Sequence, residues 1–262
     1  MALEAISEKQ FDTEQKEDRV DITYYTDPFC CWSWALEPQW RRLRYEFGDQ
    51  LHWKYVMGGL IPDWHSYRDP MNSVNRPAQM GPLWMEASRV SGMPIRDELW
   101  TGEPPASSYP ACIAVKTATL QSEVAGEVYL RSAREALMVE SKDISQKEIL
   151  FDIADLTESR HPGLFSADDF RKDYGNEASQ LAFREDIMKV RFNKIGRFPS
   201  LTMTTKGKPG IIITGYRPYS VLLEALRQII PEIEPANDIN NTKKYIEHWK
   251  FLTSRELKEL NS

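Results

Sequence analysis

Cysteine is scarce in this 262-residue chain, which carries only Cys30, Cys31 and Cys112. So low and odd a number builds no disulfide framework, and the expected compartment is the reducing cytoplasm. The histidines, His52, His65, His161 and His248, are scattered without the paired spacing that holds a metal, so no metal site is expected. Neither a Gly-x-Gly-x-x-Gly turn nor a Gly-Lys-Ser/Thr loop occurs, which removes the glycine cradles that bind nucleotide phosphates. No apolar run approaches the roughly 20 residues that span a bilayer. The first ten residues lack the basic head and apolar stretch of a secretory signal. Positive charge is also in deficit, with 33 Lys and Arg against 39 Asp and Glu and a net charge of −6. With no long basic cluster, nucleic acid and membrane are not expected partners.

What remains is the composition of a globular protein, 41 % hydrophobic and 27 % charged, in a chain long enough to bury a large core. Residues 1–18 are polar and acid-rich and read as a frayed arm. Val20–Tyr25 is a β-branched and aromatic run, a buried strand ended by Thr26-Asp27-Pro28. A helix is expected from Cys31 to Phe47, with Trp34, Leu36, Trp40, Leu43 and Phe47 on one face and Gly48 as its stop. Leu51–Met57 alternates as a second strand, and a helix between two strands predicts a parallel pair.

Residues 60–110 show no clean period and read as short helices and loops. From Ala111 to Ile195 the pattern is helical, over Ala111–Gln121, Gly126–Val139, Ser145–Leu156, a stretch from Ser166, and Ser179–Phe192. Ser145 and Glu148 have capping-box spacing. The acidic residues of 140–186 follow helical faces and read as solvated surface. Ser200–Thr205 and Ile211–Thr214 are strands joined by a Lys206–Gly210 turn. Ser220–Ile230 is an apolar-striped helix, and a charged helix over Lys243–Leu260 ends the chain.

The order predicts an α/β chain, a thioredoxin fold with a mixed β-sheet and flanking helices, interrupted by a large helical insertion. The expected divisions are 19–60 with 192–232 as the thioredoxin-like part, 61–191 as the insertion, and 233–262 as a helical tail.

Asp27-Pro28-Phe29-Cys30-Cys31-Trp32-Ser33-Trp34 lies where the first strand gives way to the first helix. A thiol there meets unpaired backbone N–H groups and the positive end of the helix dipole, which favour thiolate. Two cysteines among aromatics also read as small core residues, and position alone does not separate these readings. Cys112, in an apolar helix face, reads as packing. The Trp- and Met-rich stretch 60–105 reads equally as core or as the lining of a substrate groove.

The segment resembles the DsbA-like thioredoxin superfamily, including the FrnE-type oxidoreductases and the YjbH-type protease adaptors. Cys30-Cys31-Trp32-Ser33 is similar to the family's Cys-Pro-Trp-Cys, and Pro38 matches the proline of its kinked active-site helix. Gly196-Arg197-Phe198-Pro199-Ser200-Leu201-Thr202 resembles the cis-proline loop, and Ser107–Lys116 resembles the opening of the helix that faces the site. The resemblance spans about residues 20–232. It implies Cys30 as nucleophile, Ser33 as a hydrogen-bond donor to its thiolate, a cis Pro199 beside the sulfur, and Trp32, Phe198, Pro199 and Ser108 as substrate-binding residues.

One departure alters the chemistry. Ser33 stands where the family has its resolving thiol, and serine cannot attack a mixed disulfide. Cys31 is a poor substitute, because adjacent cysteines close a strained ring. The motif also resembles monothiol glutaredoxins and the Ser-x-x-Ser-Trp isomerases and kappa-class transferases. The leading expectation is therefore a single-cysteine thiol oxidoreductase or glutathione-dependent enzyme. Its substrate would be a small or protein thiol or disulfide, with glutathione as co-substrate and no tightly bound cofactor. The alternative is a non-catalytic adaptor of the YjbH type that binds a protein client.

Overall fold

In the computed structural model, which describes residues 19–261, four strands form one sheet in the order β2-β1-β3-β4. The frayed arm expected over residues 1–18 lies outside the described residues. Val20–Thr26 (β1) and Leu51–Met57 (β2) run parallel, with Val20 opposite Leu51 and Thr26 opposite Met57. Ser200–Thr204 (β3) and Ile211–Thr214 (β4) form an antiparallel hairpin, and β3 pairs antiparallel with β1 through Tyr24 and Leu201. The mixed sheet follows from the connections: a helix can return a parallel strand, whereas a tight turn forces an antiparallel one.

Strand alternation assigns the two faces. Val20, Ile22 and Tyr24 share a core with Leu36, Trp40, Leu43 and Phe47, and with Leu222, Leu226 and Ile229 of Tyr219–Ile229 (α9). Tyr25 and Val56 point the other way, toward Val190 of Glu177–Phe192 (α8) and Ile195. Between β2 and β3 run Met80–Ser91 (α3), Tyr109–Gln121 (α4), Glu123–Met138 (α5), Lys147–Arg160 (α6), Ala167–Asp173 (α7) and α8. They share one core with Phe29, Cys31, Trp34 and Met57, so the helices pack directly on the motif end of the sheet. No helix among the described residues is long and apolar enough to cross a membrane.

The single helix expected over Cys31–Phe47 is two, Cys31–Ala35 (α1) and Glu37–Phe47 (α2), broken at Leu36. Pro38 sits in the first turn of α2, where its missing N–H costs nothing, and cannot continue the ladder of α1. The capping box expected at Ser145 does not form: its hydroxyl and N–H both donate to Asp143, and α6 starts at Lys147. The tail is likewise two helices, Thr242–Trp249 (α10) and Ser254–Lys258 (α11), divided at Lys250, whose φ of 56° is incompatible with a right-handed helix. α3 is a regular helix that the sequence pattern of 60–110 does not reveal, because Gly81, Pro82 and Gly92 obscure its period.

Asp186 departs from the solvated face expected of its segment. It is 1 % exposed, accepts from the Met57 N–H at 2.9 Å, and pairs with Lys116 Nζ at 3.0 Å and Lys189 Nζ at 3.1 Å. One carboxylate thus ties the end of β2 to α4 and α8.

Candidate functional site

Thr26 ends β1, and the Asp27-Pro28 turn delivers Cys30 to the N-cap of α1. The Cys30 N–H donates to the Asp27 carbonyl at 3.1 Å, and the Cys30 sulfur accepts from the Ser33 N–H at 3.4 Å. The Ser33 hydroxyl, expected to serve that sulfur, is buried and makes no hydrogen bond of ordinary geometry among the described residues, yet it lowers the Cys30 thiol together with the Ser33 N–H.

Cys30 is 5 % exposed. Burial pushes its thiol above the ordinary value of 9, outweighing the Ser33 groups that draw it down, while the Asp27 carboxyl pushes it further up. That corrects the expectation of a thiolate near neutral pH: desolvation defeats the short helix end. Cys31 is turned into the core beside Trp34, and burial holds its thiol well above 9.

Asp27 is the site residue that the sequence does not announce. It is fully buried and accepts four hydrogen bonds. The Phe29 N–H donates to one oxygen at 2.8 Å, which is the Asx turn that an Asp-Pro dipeptide suggests. The other oxygen takes the Leu60 N–H at 2.6 Å, the Ser108 hydroxyl at 3.0 Å and the Cys112 thiol at 3.2 Å. Burial raises the Asp27 carboxyl above 3.8 against those donors. Ser108 and Cys112 change roles accordingly. Ser108, expected at the substrate surface, is 0 % exposed and anchors Asp27 to α4, and Cys112 is a polar partner of the carboxylate as well as a packed side chain.

Above Cys30 opens a cavity of about 480 Å³. Phe29, Trp32, Leu60, Met80, Leu83 and Phe198 give it an apolar wall, with Arg68, Asp69 and Arg197 among its polar residues. The expected site residues thus separate. Cys30, Trp32 and Phe198 line the cavity, while Ser33, Ser108 and Pro199 do not. The Phe198–Pro199 bond is cis, and the Pro199 carbonyl accepts from the Gly215 N–H at 2.7 Å. The Trp- and Met-rich stretch divides as well: Met71, Met80 and Leu83 border the cavity, whereas Trp84 and Trp100 are buried and pack edge to face at 5.0 Å.

The tip of the Phe198 ring lies against Gly58, where a Cβ would meet its Cζ at 1.9 Å. Gly58→Ala is therefore expected to drive the ring into the cavity. It should destabilise the chain by about 1–3 kcal/mol, the cost of overpacking. Urea melts and the quenching of Trp32 fluorescence by acrylamide read both effects. An unchanged melt with unchanged quenching would show that Phe198 does not wall the cavity.

A parallel β–α–β unit, an antiparallel hairpin and a cysteine at the helix cap opposite a cis-proline loop define a thioredoxin-like domain. The family model for thioredoxin matches residues 24–224, and the chain belongs to that family. It is similar to the ClpXP adapter protein SpxH of Halalkalibacterium halodurans, 24 % identical over 249 residues, which are 93 % of this chain and 78 % of that protein. Among solved structures it resembles a putative protein disulfide isomerase from Nitrosomonas europaea, with a TM-score of 0.64 and 24 % identity over 81 % of this chain and 96 % of that one. It also resembles the cytosolic disulfide reductase DsbM from Pseudomonas aeruginosa, with a TM-score of 0.60 and 18 % identity over 79 % and 99 % of the two chains. At these identities the solved structures speak to the fold.

Proposed function

We propose that this chain is a non-catalytic thioredoxin-fold adaptor that holds a protein client in the apolar cavity beside Cys30 and presents it to a ClpXP-type protease. The observation that carries this reading is the state of Cys30. A thiol disulfide exchanger needs a thiolate to attack and a second thiol to release its partner. Here burial raises the Cys30 thiol above its ordinary value, against thiolate formation, and Ser33 stands one turn along without a thiol. The relatives named as ClpXP adapters support the same reading.

The competing reading is a single-cysteine enzyme that waits for glutathione. One comparison separates them: the half-life of client proteins in a strain lacking this chain, restored with wild type or with Cys30→Ala. The adaptor reading expects a set of proteins to be stabilised by the deletion and to regain fast turnover with both versions. It also expects no turnover of a glutathione mixed disulfide above the uncatalysed rate. Failure of Cys30→Ala to restore turnover, together with measurable reduction of the mixed disulfide, would establish the enzyme instead.

A further inference from the structure

A second cavity, about 320 Å³, lies between α2, α5, the end of α6, Tyr55 of β2 and the Trp249–Phe251 turn. Its charge is unbalanced. Arg41, Arg131, Arg134, Arg160 and Lys250 line it against three carboxylates, Glu37, Glu127 and Glu135. Three of these guanidinium groups have side chains less than 10 % exposed. A fourth carboxylate, Glu256, sits behind the wall and is occupied, accepting both Arg131 Nη atoms at 2.8 and 3.0 Å and pairing with Arg41 Nη1 at 3.0 Å.

The unmet hydrogen-bonding capacity has one sign. Arg134 is 1 % exposed, with one Nη on Glu37 at 3.2 Å and the other on the Thr26 hydroxyl, yet its Nε–H has no partner. The buried indole N–H of Trp249 is also unpartnered. The Arg41 Nε–H, ion-paired with Glu37 at 3.3 Å, likewise makes no hydrogen bond; all three are donors, and no unpartnered acceptor belongs to a residue of this cavity. Buried donors without partners are costly, so their coincidence with surplus cations calls for an acceptor-rich occupant. The histidines at the rim feel the same field. Burial, then Lys250, Arg160 and Arg41, hold His161 below 6.5, and burial, then Arg44 and Arg41, hold His248 below it.

We propose that this cavity is a binding site for a multiply charged oxyanion, seated among Arg134, Arg160 and Lys250, and separate from the Cys30 cavity. A planar guanidinium takes phosphoryl or carboxylate oxygens two at a time, and a dry wall strengthens each contact. The volume suits a small molecule or a short acidic segment rather than a folded partner.

Calorimetric titration of the full chain at constant ionic strength tests this with three probes: inorganic phosphate, citrate and a tetraglutamate peptide. At least one is expected to bind saturably with a Kd below about 1 mM. The tightest of the three assigns the source, phosphoryl or carboxylate, free or peptide-borne. Lys250→Glu, at an exposed position, and Arg160→Gln are each expected to weaken that binding by at least about tenfold. Lys206→Glu, in the β3–β4 turn, should leave it unchanged. Absence of saturable binding by all three probes overturns the site, as does binding indifferent to Lys250→Glu in a variant whose melt matches wild type.

Discussion

Alkylation of Cys30 by iodoacetamide in the native chain is expected to be slow at neutral pH and to rise toward a midpoint above 9. The cause is burial, which pushes the thiol above its ordinary value in spite of the Ser33 groups. At pH 7 a thiol with a pKa above 9 is less than about 1 % ionised, so its rate should fall about fifty-fold or more below that of a thiol poised at neutrality. Cys31 and Cys112 are raised further, by burial first and then by the neighbouring Cys30 and Asp27 charges. Mass spectrometry should therefore find the first label on Cys30, with Cys31→Ser and Cys112→Ser leaving the profile in place. Denaturant should bring all three to ordinary reactivity. A midpoint near 7 in the native chain would restore the enzyme reading and remove the main support for the adaptor.

The same groups set an alkaline limit to stability. A thiol whose folded pKa lies above its unfolded one contributes stability that is present below the unfolded value and is lost as pH rises through the folded one. All three cysteines have that sign, so unfolding free energy should decline above pH 9.

Glu256→Gln is expected to be the most damaging substitution away from Cys30. Glu256 is fully buried between Arg131 and Arg41, and through them it fastens α11 to α5 and α2. Removing one partner of a buried pair strands the others, at a cost of about 3–5 kcal/mol. At about 2–4 °C per kcal/mol for a chain of this size, the loss in Tm is about 6–20 °C. Burial pushes the Glu256 carboxyl up, but Arg41, Arg131 and the Thr253 N–H outweigh it and hold the carboxyl at about 2, below its ordinary 4.5. A depressed acid contributes stability that is complete above the unfolded value and disappears as pH falls through the folded one. Wild type should therefore lose stability between about pH 4.5 and 2, and Glu256→Gln should flatten that limb. A variant that melts within a degree of wild type would show that the cluster does not hold the tail.

Which parts of this were written in the sequence is visible residue by residue. β1, β2 and the β3–β4 hairpin were legible because Val20–Tyr25 and Leu51–Met57 carry β-branched and aromatic runs and Lys206–Gly210 carries turn residues, all of them signals within a few positions. The break at Leu36 was signalled by Pro38, whereas the break at Lys250, a non-glycine residue with φ of 56°, has no turn residue to announce it.

The candidate site divides along the same line. The residues of the Cys30–Ser33 motif, and the lack of a second thiol at Ser33, are properties of a local string. Whether the thiol ionises is a property of its surroundings, and those include α3, the 58–72 segment and the Phe198 loop, which border the cavity beside the buried Cys30. Asp27 makes the same point, because the hydroxyl and thiol that hold it lie 81 and 85 residues away. The sequence by itself determined the thioredoxin topology and the missing resolving thiol, both carried by near-neighbour patterns. Only the tertiary structure decided the burial that raises the Cys30 thiol, the burial of Asp27 and Glu256, and the cationic cavity beside α5. Each of these depends on desolvation and charge contributed by segments distant in the chain.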